Sequence, residues 1–229
     1  MVDILAFGSH PDDLEFGCGG ILARCAASGM TIVMADLTRG EKGTHGTVEE
    51  REQEAYAAAK LIGAQRVFLD FSDCEIVDSY EGRLEIVKLI REYSPRLVIA
   101  PHISGSQTHP DHLATGTMVR YACRYSRFKN VLPNIPIHRP QGVLHYFNTA
   151  VIPSDPDFLM DVSAYVEVWK KMMLSHETQH RGNNYTDSVL KKSAYFGALM
   201  SVEYAQGLVK VNPIVIDDIN AIATSTREL

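Results

Sequence analysis

The sequence predicts a three-layer, Rossmann-like α/β fold with a largely parallel sheet and no dinucleotide-binding fingerprint. Short apolar runs alternate with helix-forming segments at a spacing of about 30 residues, the repeat of strand–helix–strand crossovers. The runs are continuously apolar, as in strands covered on both faces. Gly17, Gly19 and Gly20 follow the first run, but His-Pro-Asp-Asp stands where a dinucleotide site has its first glycine, and a carboxylate pair there would repel a pyrophosphate.

Residues 2–8 form the first strand candidate, ended by Gly-Ser-His-Pro. Residues 16–28 read as a helix with Ile21, Leu22 and Cys25 on one side, broken by Gly29. The second strand covers 31–37, and the alanine-rich, charged segment 48–61 is a helix. A third short strand spans 66–70. Residues 81–93 are amphipathic, with Leu84, Val87, Leu89 and Ile90 on one face. The fourth strand, 96–100, stops at Pro101, and 111–125 is again helical. Residues 126–142 hold Pro133, Pro136 and Pro140 and read as an irregular connection. Later strands are expected at 143–150 and 158–161, helices at 162–174 and 187–199, and a last apolar run at 214–216. No linker interrupts this order. One domain over 1–229 is expected, its part from about 143 adding the later strands and helices.

Composition narrows the function. Lys plus Arg is 22 against 28 Asp plus Glu, a formal charge of −6, so a cationic nucleic-acid footprint is not expected. No apolar run reaches the roughly 20 residues that span a bilayer, and the amino terminus has no signal-like segment. Cys18, Cys25, Cys74 and Cys123 are scattered without a CxxC pair and read as reduced thiols. Together these predict a cytoplasmic protein without nucleic-acid or membrane partners.

Two His-Pro-Asp units carry the chemistry: His10-Pro11-Asp12-Asp13 after strand one and His109-Pro110-Asp111-His112 after strand four. Active sites collect at the carboxyl ends of parallel strands. One such unit alone reads as a turn and a helix cap. Two at equivalent places can bring two histidines and a carboxylate together as an N,N,O site for Zn²⁺ with an open position. The spacing lets His10, Asp13 and His112 point at one ion, with Asp12 and His109 beside it. A carboxylate there can act as general base, and a histidine can stabilise an oxyanion or protonate a leaving amine. Asp111 can fix the tautomer of His109. Two other readings compete: a two-metal phosphoesterase, and a structural zinc site with four protein ligands.

These motifs resemble the PIG-L/LmbE superfamily of zinc-dependent N-deacetylases. The resemblance rests on Ala6-Phe7-Gly8-Ser9-His10-Pro11-Asp12-Asp13, Asp36-Leu37-Thr38-Arg39-Gly40-Glu41 and His109-Pro110-Asp111-His112. It runs from residue 2 to about residue 205. Within the superfamily the chain is most similar to the bacillithiol-pathway deacetylases, through TRGEKGTHGT at 38–47, Arg51-Glu52, Asp161-Val162-Ser163, and Lys170 through His176-Glu177-Thr178-Gln179.

The resemblance implies His10, Asp13 and His112 as metal ligands, Asp12 as base, and His109 as oxyanion partner held by Asp111. It implies Zn²⁺, with Fe²⁺ as an alternative occupant in the cell, and a homo-oligomer, a hexamer in that branch. The implied substrate is a small glycoconjugate, N-acetyl-α-D-glucosaminyl L-malate, with free GlcNAc, a chitooligosaccharide or another small amide as the alternative. Arg39, Lys42 and Arg51 are then candidates for the malate end, and Tyr195 for a place near the oxyanion. Residues 41–46 carry glycines that suit a lid. The chain departs from many members in having Leu14 and then Glu15 after the aspartate pair, and in having His45 in the glycine-rich loop. His102, His176 and His180 have no assigned role, and Trp169, Met172 and Met173 read as core.

Overall fold

The computed structural model describes residues 1–105, 108–148, 155–181, 184–215 and 218. Seven strands form one sheet in the order β3-β2-β1-β4-β5-β7-β6. They are β1 (Ile4–Gly8), β2 (Ile32–Asp36), β3 (Gln65–Phe68), β4 (Leu97–Pro101), β5 (Gly142–Tyr146), β6 (Phe158–Asp161) and β7 (Ala205–Lys210). Strands β1 to β5 pair in parallel, and β7 runs antiparallel to both β5 and β6.

The helices are α1 (Asp13–Ala27), α2 (Val48–Lys60), α3 (Tyr80–Tyr93), α4 (Pro110–Tyr125), α5 (Val166–Leu174) and α6 (Tyr185–Met200). Alternate side chains of the central strands feed two cores. Ile4, Ala6, Ile32, Met34 and Ile99 meet Leu14, Ile21 and Leu22 of α1 and Trp169, Met172 and Met173 of α5. Leu5, Phe7, Val33, Ala35, Val98 and Ala100 meet Ile86, Val87 and Ile90 of α3 and Met118, Val119 and Ala122 of α4. This is the period-2 alternation of a sheet buried on both faces.

The expected strands and helices are present, with two differences. The expected strand 143–150 ends as β5 at Tyr146, and 149–150 lie outside the described residues. The sheet also takes in β7, where no strand was expected, while Ile214 and Val215 of the expected apolar run are exposed coil and Ile216 lies outside the described residues. Strand β7 is only six residues long and contains Gly207, so its local pattern is weak. Its place comes from pairing with neighbours 44 to 66 positions away. Among the described residues no helix is long and apolar enough to cross a membrane.

The strand order positions the site. The chain runs outward from β1 through β2 to β3, then returns to lay β4 against the other side of β1. The crevice between loops that leave in opposite directions opens at such a reversal. Here it lies between the loops after β1 and β4, which carry the two His-Pro-Asp units. Buried Tyr146 ties the next strand to the same end, its hydroxyl donating to the Phe7 carbonyl at 3.1 Å. A Cβ on Gly17 would lie 2.2 Å from the Tyr146 ring, so α1 can approach β5 only with glycine there.

Candidate metal centre

The first turn is built around Asp13. As the opening residue of α1 it accepts backbone N–H bonds from Ser9 (2.8 Å) and His10 (3.0 Å) on Oδ2. The turn forces Asp12 to φ 134°, a strained value for a residue with a side chain. The second turn is set by Pro110 in the first turn of α4 and by His109 as its N-cap. His112 is thereby turned inward and is 8% exposed.

The two turns meet. His112 Nε2 is 3.0 Å from Asp13 Oδ1, and His10 Nδ1 is 3.6 Å from Asp13 Oδ2. One donor atom each from His10, Asp13 and His112 lies within 4.8 Å of the others. This N,N,O donor set suits Zn²⁺ or Fe²⁺. The local charge favours a cation as well. Burial works against a charged His10, yet Asp13, Asp73 and Asp12 outweigh it and push its pKa to about 11. Burial likewise works against the Asp13 anion, but His112 and His10 hold its pKa well below the usual range. Two overlapping groups, His10–His109–Asp111 and Asp73–Cys74–Asp111, also have converging donors.

His10 Nε2 is flanked by Asp73 Oδ1 at 3.1 Å and Asp111 Oδ2 at 3.2 Å. A ligating histidine whose far nitrogen meets a carboxylate is held in orientation and made more basic. Asp111 therefore serves His10, and its Oδ2 also accepts from the Cys74 N–H at 2.8 Å. This corrects the expectation that its carboxylate holds His109. From the start of α4 the side chain reaches across to the loop after β3, and it is the Asp111 backbone N–H that donates to His109 Nδ1, at 3.2 Å. The neutral His109 then carries its proton on Nε2, a tautomer inferred from the hydrogen bond. Burial and the positive charges of His10 and His112 lower its pKa.

Asp12 lies beside Arg51, whose Nη2 is 3.4 Å from its Oδ2. Burial raises the Asp12 pKa, Arg51 opposes, and the result is about 6. Arg51 is 4% exposed and also donates to the carbonyls of Gly40 (2.8 Å) and Pro11 (3.0 Å). It braces the glycine-rich loop against the first turn. Gly40 has φ +66°, and a Cβ there would lie 1.7 Å from Arg51 Nη1.

These groups open on a cavity of about 540 Å³ lined on the metal side by His10, Asp12, Asp13, His109 and His112. Lys42 and Arg51 lie on its wall, with the Lys42 ammonium paired to Glu75. Arg39 is not among the lining residues. Its Nε meets Glu52 at 2.6 Å and its Nη1 meets Asp70 at 2.7 Å, along the outside of β3. Tyr195 is 57% exposed on α6 and does not line the cavity, because the helix turns that position to solvent. Tyr185, Ser188, Val189 and Lys192, spaced as one helical face, line it instead. His45 offers its carbonyl to Gln179 at 3.3 Å, and His180 Nε2 contacts the Met173 carbonyl at 3.1 Å. His102 is buried against Phe147.

Several site residues had no sequence signal. Asp73, Asn148 and Lys192 stand in no motif. Glu15 is fully buried and meets Arg66 Nη1 at 2.5 Å, and Arg66 also grips Asp36 at 2.6 and 2.8 Å. Burial opposes the Glu15 anion, but Arg66 and His176 bring its pKa to about 2. Burial of Asp36 prevails over Arg66 and raises its pKa to about 7. His176, also fully buried, places Nε2 3.4 Å from Glu15 Oε2. The residue after the aspartate pair and Leu14 is thus an anchor beneath the site.

Residues 5–123 match the model of the PIG-L family, described as GlcNAc-PI de-N-acetylase. Diacetylchitobiose deacetylase of Thermococcus kodakarensis is 28% identical over 90% of this chain and 81% of its own length. Among solved structures, a conserved protein of Thermus thermophilus superposes with a TM-score of 0.88 at 32% identity, covering 96% of this chain and 99% of that one. N,N'-diacetylchitobiose deacetylase of Pyrococcus horikoshii has a TM-score of 0.83 at 22% identity, over 91% and 83% of the two chains, a likeness of fold.

Proposed function

This chain belongs to the PIG-L family, and on that premise we propose that it is a metal-dependent N-deacetylase. It removes the acetyl group from an N-acetylglucosamine conjugate, releasing acetate and a free amine. The observation that supports this most is the meeting of His10, Asp13 and His112 at the floor of a cavity that also presents Asp12 and His109. The family match and the 28% identical diacetylchitobiose deacetylase supply the reaction class.

His10, Asp13 and His112 would hold the metal, which would supply Lewis acidity toward the acetamide carbonyl and the attacking water. Zn²⁺ is the proposed metal and Fe²⁺ the alternative, to be told apart by anaerobic metal analysis of fresh protein. Asp12 takes the proton of the attacking water and delivers it to the departing amine. Its pKa of about 6 suits both directions of transfer near neutral pH. Neutral His109 faces the same space with a proton on Nε2 and donates it as a hydrogen bond to the developing oxyanion, without being charged.

For the substrate we propose GlcNAc linked to L-malate, as in bacillithiol biosynthesis. Lys42 on the cavity wall supports an anionic substituent. Diacetylchitobiose is the second reading, favoured by the Thermococcus relative. Acetate release measured with GlcNAc-malate, free GlcNAc and diacetylchitobiose in competition decides between them. Equal rates, or none on the malate conjugate, would end the malate reading and leave the deacetylase reading standing. Assembly into a hexamer rests on the family resemblance and is checked by sedimentation.

A further inference from the structure

One further side chain touches the ligand atoms of the centre. Asn148 Nδ2 lies 2.6 Å from Asp13 Oδ1 and 3.4 Å from His112 Nε2, two atoms that are themselves 3.0 Å apart. The orientation of this amide is settled by chemistry. A metal-ligating Asp13 is a carboxylate, whose oxygens only accept, so the amide NH₂ and not its oxygen must face it, as Nδ2 does here. One N–H of Asn148 is spent on Asp13. The other is directed to the edge where His112 and Asp13 converge. Once His112 Nε2 serves as a metal ligand, its lone pair no longer accepts from Asn148, and that N–H faces the cavity that Asn148 lines.

The backbone around Asn148 is pinned. Tyr146 and Phe147 are 0% and 2% exposed. The Tyr146 carbonyl accepts from the His102 N–H at 2.9 Å, and the Phe147 carbonyl accepts from Lys192 Nζ at 3.1 Å. A donor held this rigidly beside the reacting centre needs no reorganisation as charge develops, the condition under which such donors contribute most.

We propose that Asn148 is a catalytic residue: one amide hydrogen orients the ligand Asp13, and the other donates to the acetyl oxygen of the substrate, more strongly as it becomes an oxyanion. The proposal rests on the deacetylase reading. No bond is made or broken by Asn148, and no proton leaves it.

The test uses Asn148→Ala and Asn148→Ser in the full chain, both checked for folding by thermal denaturation. Three quantities are read: Zn²⁺ affinity by chelator competition, kcat and KM at saturating metal, and acetate binding to the Co²⁺-substituted protein by its visible spectrum. Loss of one oxyanion donor lowers kcat about 10²–10³-fold. The expectation for Asn148→Ala is that loss with KM within about threefold, acetate binding weakened about tenfold, and partial recovery of kcat in Asn148→Ser, whose hydroxyl restores a donor. If Asn148→Ala binds Zn²⁺ more weakly but, once saturated, turns over within about threefold of the parent, Asn148 only braces Asp13 and the proposal fails. Unchanged acetate affinity overturns it as well. The acetate arm needs no substrate, so a parent protein inactive on every GlcNAc conjugate would end the deacetylase reading while Asn148 is still judged by the acetate spectrum.

Discussion

Replacing Arg51 by alanine removes the cation 3.4 Å from the Asp12 carboxylate and the two backbone bonds that brace the first turn. Arg51 lowers the Asp12 pKa against a larger upward push from burial, leaving it at about 6. An adjacent arginine is worth roughly one to three pKa units to an aspartate, or about 1.4–4 kcal/mol. In Arg51→Ala the Asp12 pKa therefore rises to between about 7 and 9. Asp12 must be ionised to act as base, so activity is lost as pH falls through its pKa. The acid limb of kcat/KM moves upward by the same one to three units. At pH 7 protonation alone lowers the rate about two- to a hundredfold, for every substrate alike. A bound dication lowers the limb in both proteins, so the displacement between them is the diagnostic. The assay is kcat/KM from pH 5 to 10 with GlcNAc-malate and with free GlcNAc. An unmoved acid limb, with KM raised only for the malate conjugate, would show Arg51 to be a substrate contact and refute its partnership with Asp12.

Other outcomes follow from the same geometry. His10→Ala, Asp13→Ala and His112→Ala should each lose bound metal by elemental analysis, whereas Asp12→Asn should keep it and lose about 10²–10⁴ in kcat; equal metal loss in Asp12→Asn would contradict the ligand set. Asp111→Asn should weaken metal affinity about 10–100-fold in a chelator competition, because Asp111 supports His10. Affinity at the parent value with only a changed pH profile would return Asp111 to His109. Arg66→Met should cost about 3–5 kcal/mol in urea unfolding, since it leaves Glu15 and Asp36 buried without their cation; a loss below about 1 kcal/mol would show that this network adds little.

The parallel half of the fold and the two His-Pro-Asp turns were legible because each is written in contiguous residues: an apolar run, a proline-restrained turn, a helix start. What could not be read depends on contacts between distant positions. Asp73 reaches His10 from a loop without a motif, and Asn148 is one polar residue after an apolar strand. Glu15 and Arg66 are 51 positions apart, and nothing local marks either for burial together. Helical periodicity put Arg51 on α2 but could not say that its guanidinium turns inward to Pro11 and Asp12. Tyr195 and Tyr185 are ten positions apart on α6, and only the packing of the helix decides which one meets the cavity.

The central claim is that the His10–Asp13–His112 centre removes acetyl groups from GlcNAc conjugates. Its most direct test is the stoichiometry of acetate and primary amine released by the protein as isolated, after chelation, and after restoration with one equivalent of Zn²⁺ or Fe²⁺. The account predicts equal amounts of acetate and amine, activity abolished by the chelator, and recovery on adding the metal. Activity that survives complete metal removal, or a metal-loaded protein that releases no acetate from any GlcNAc conjugate, would contradict it.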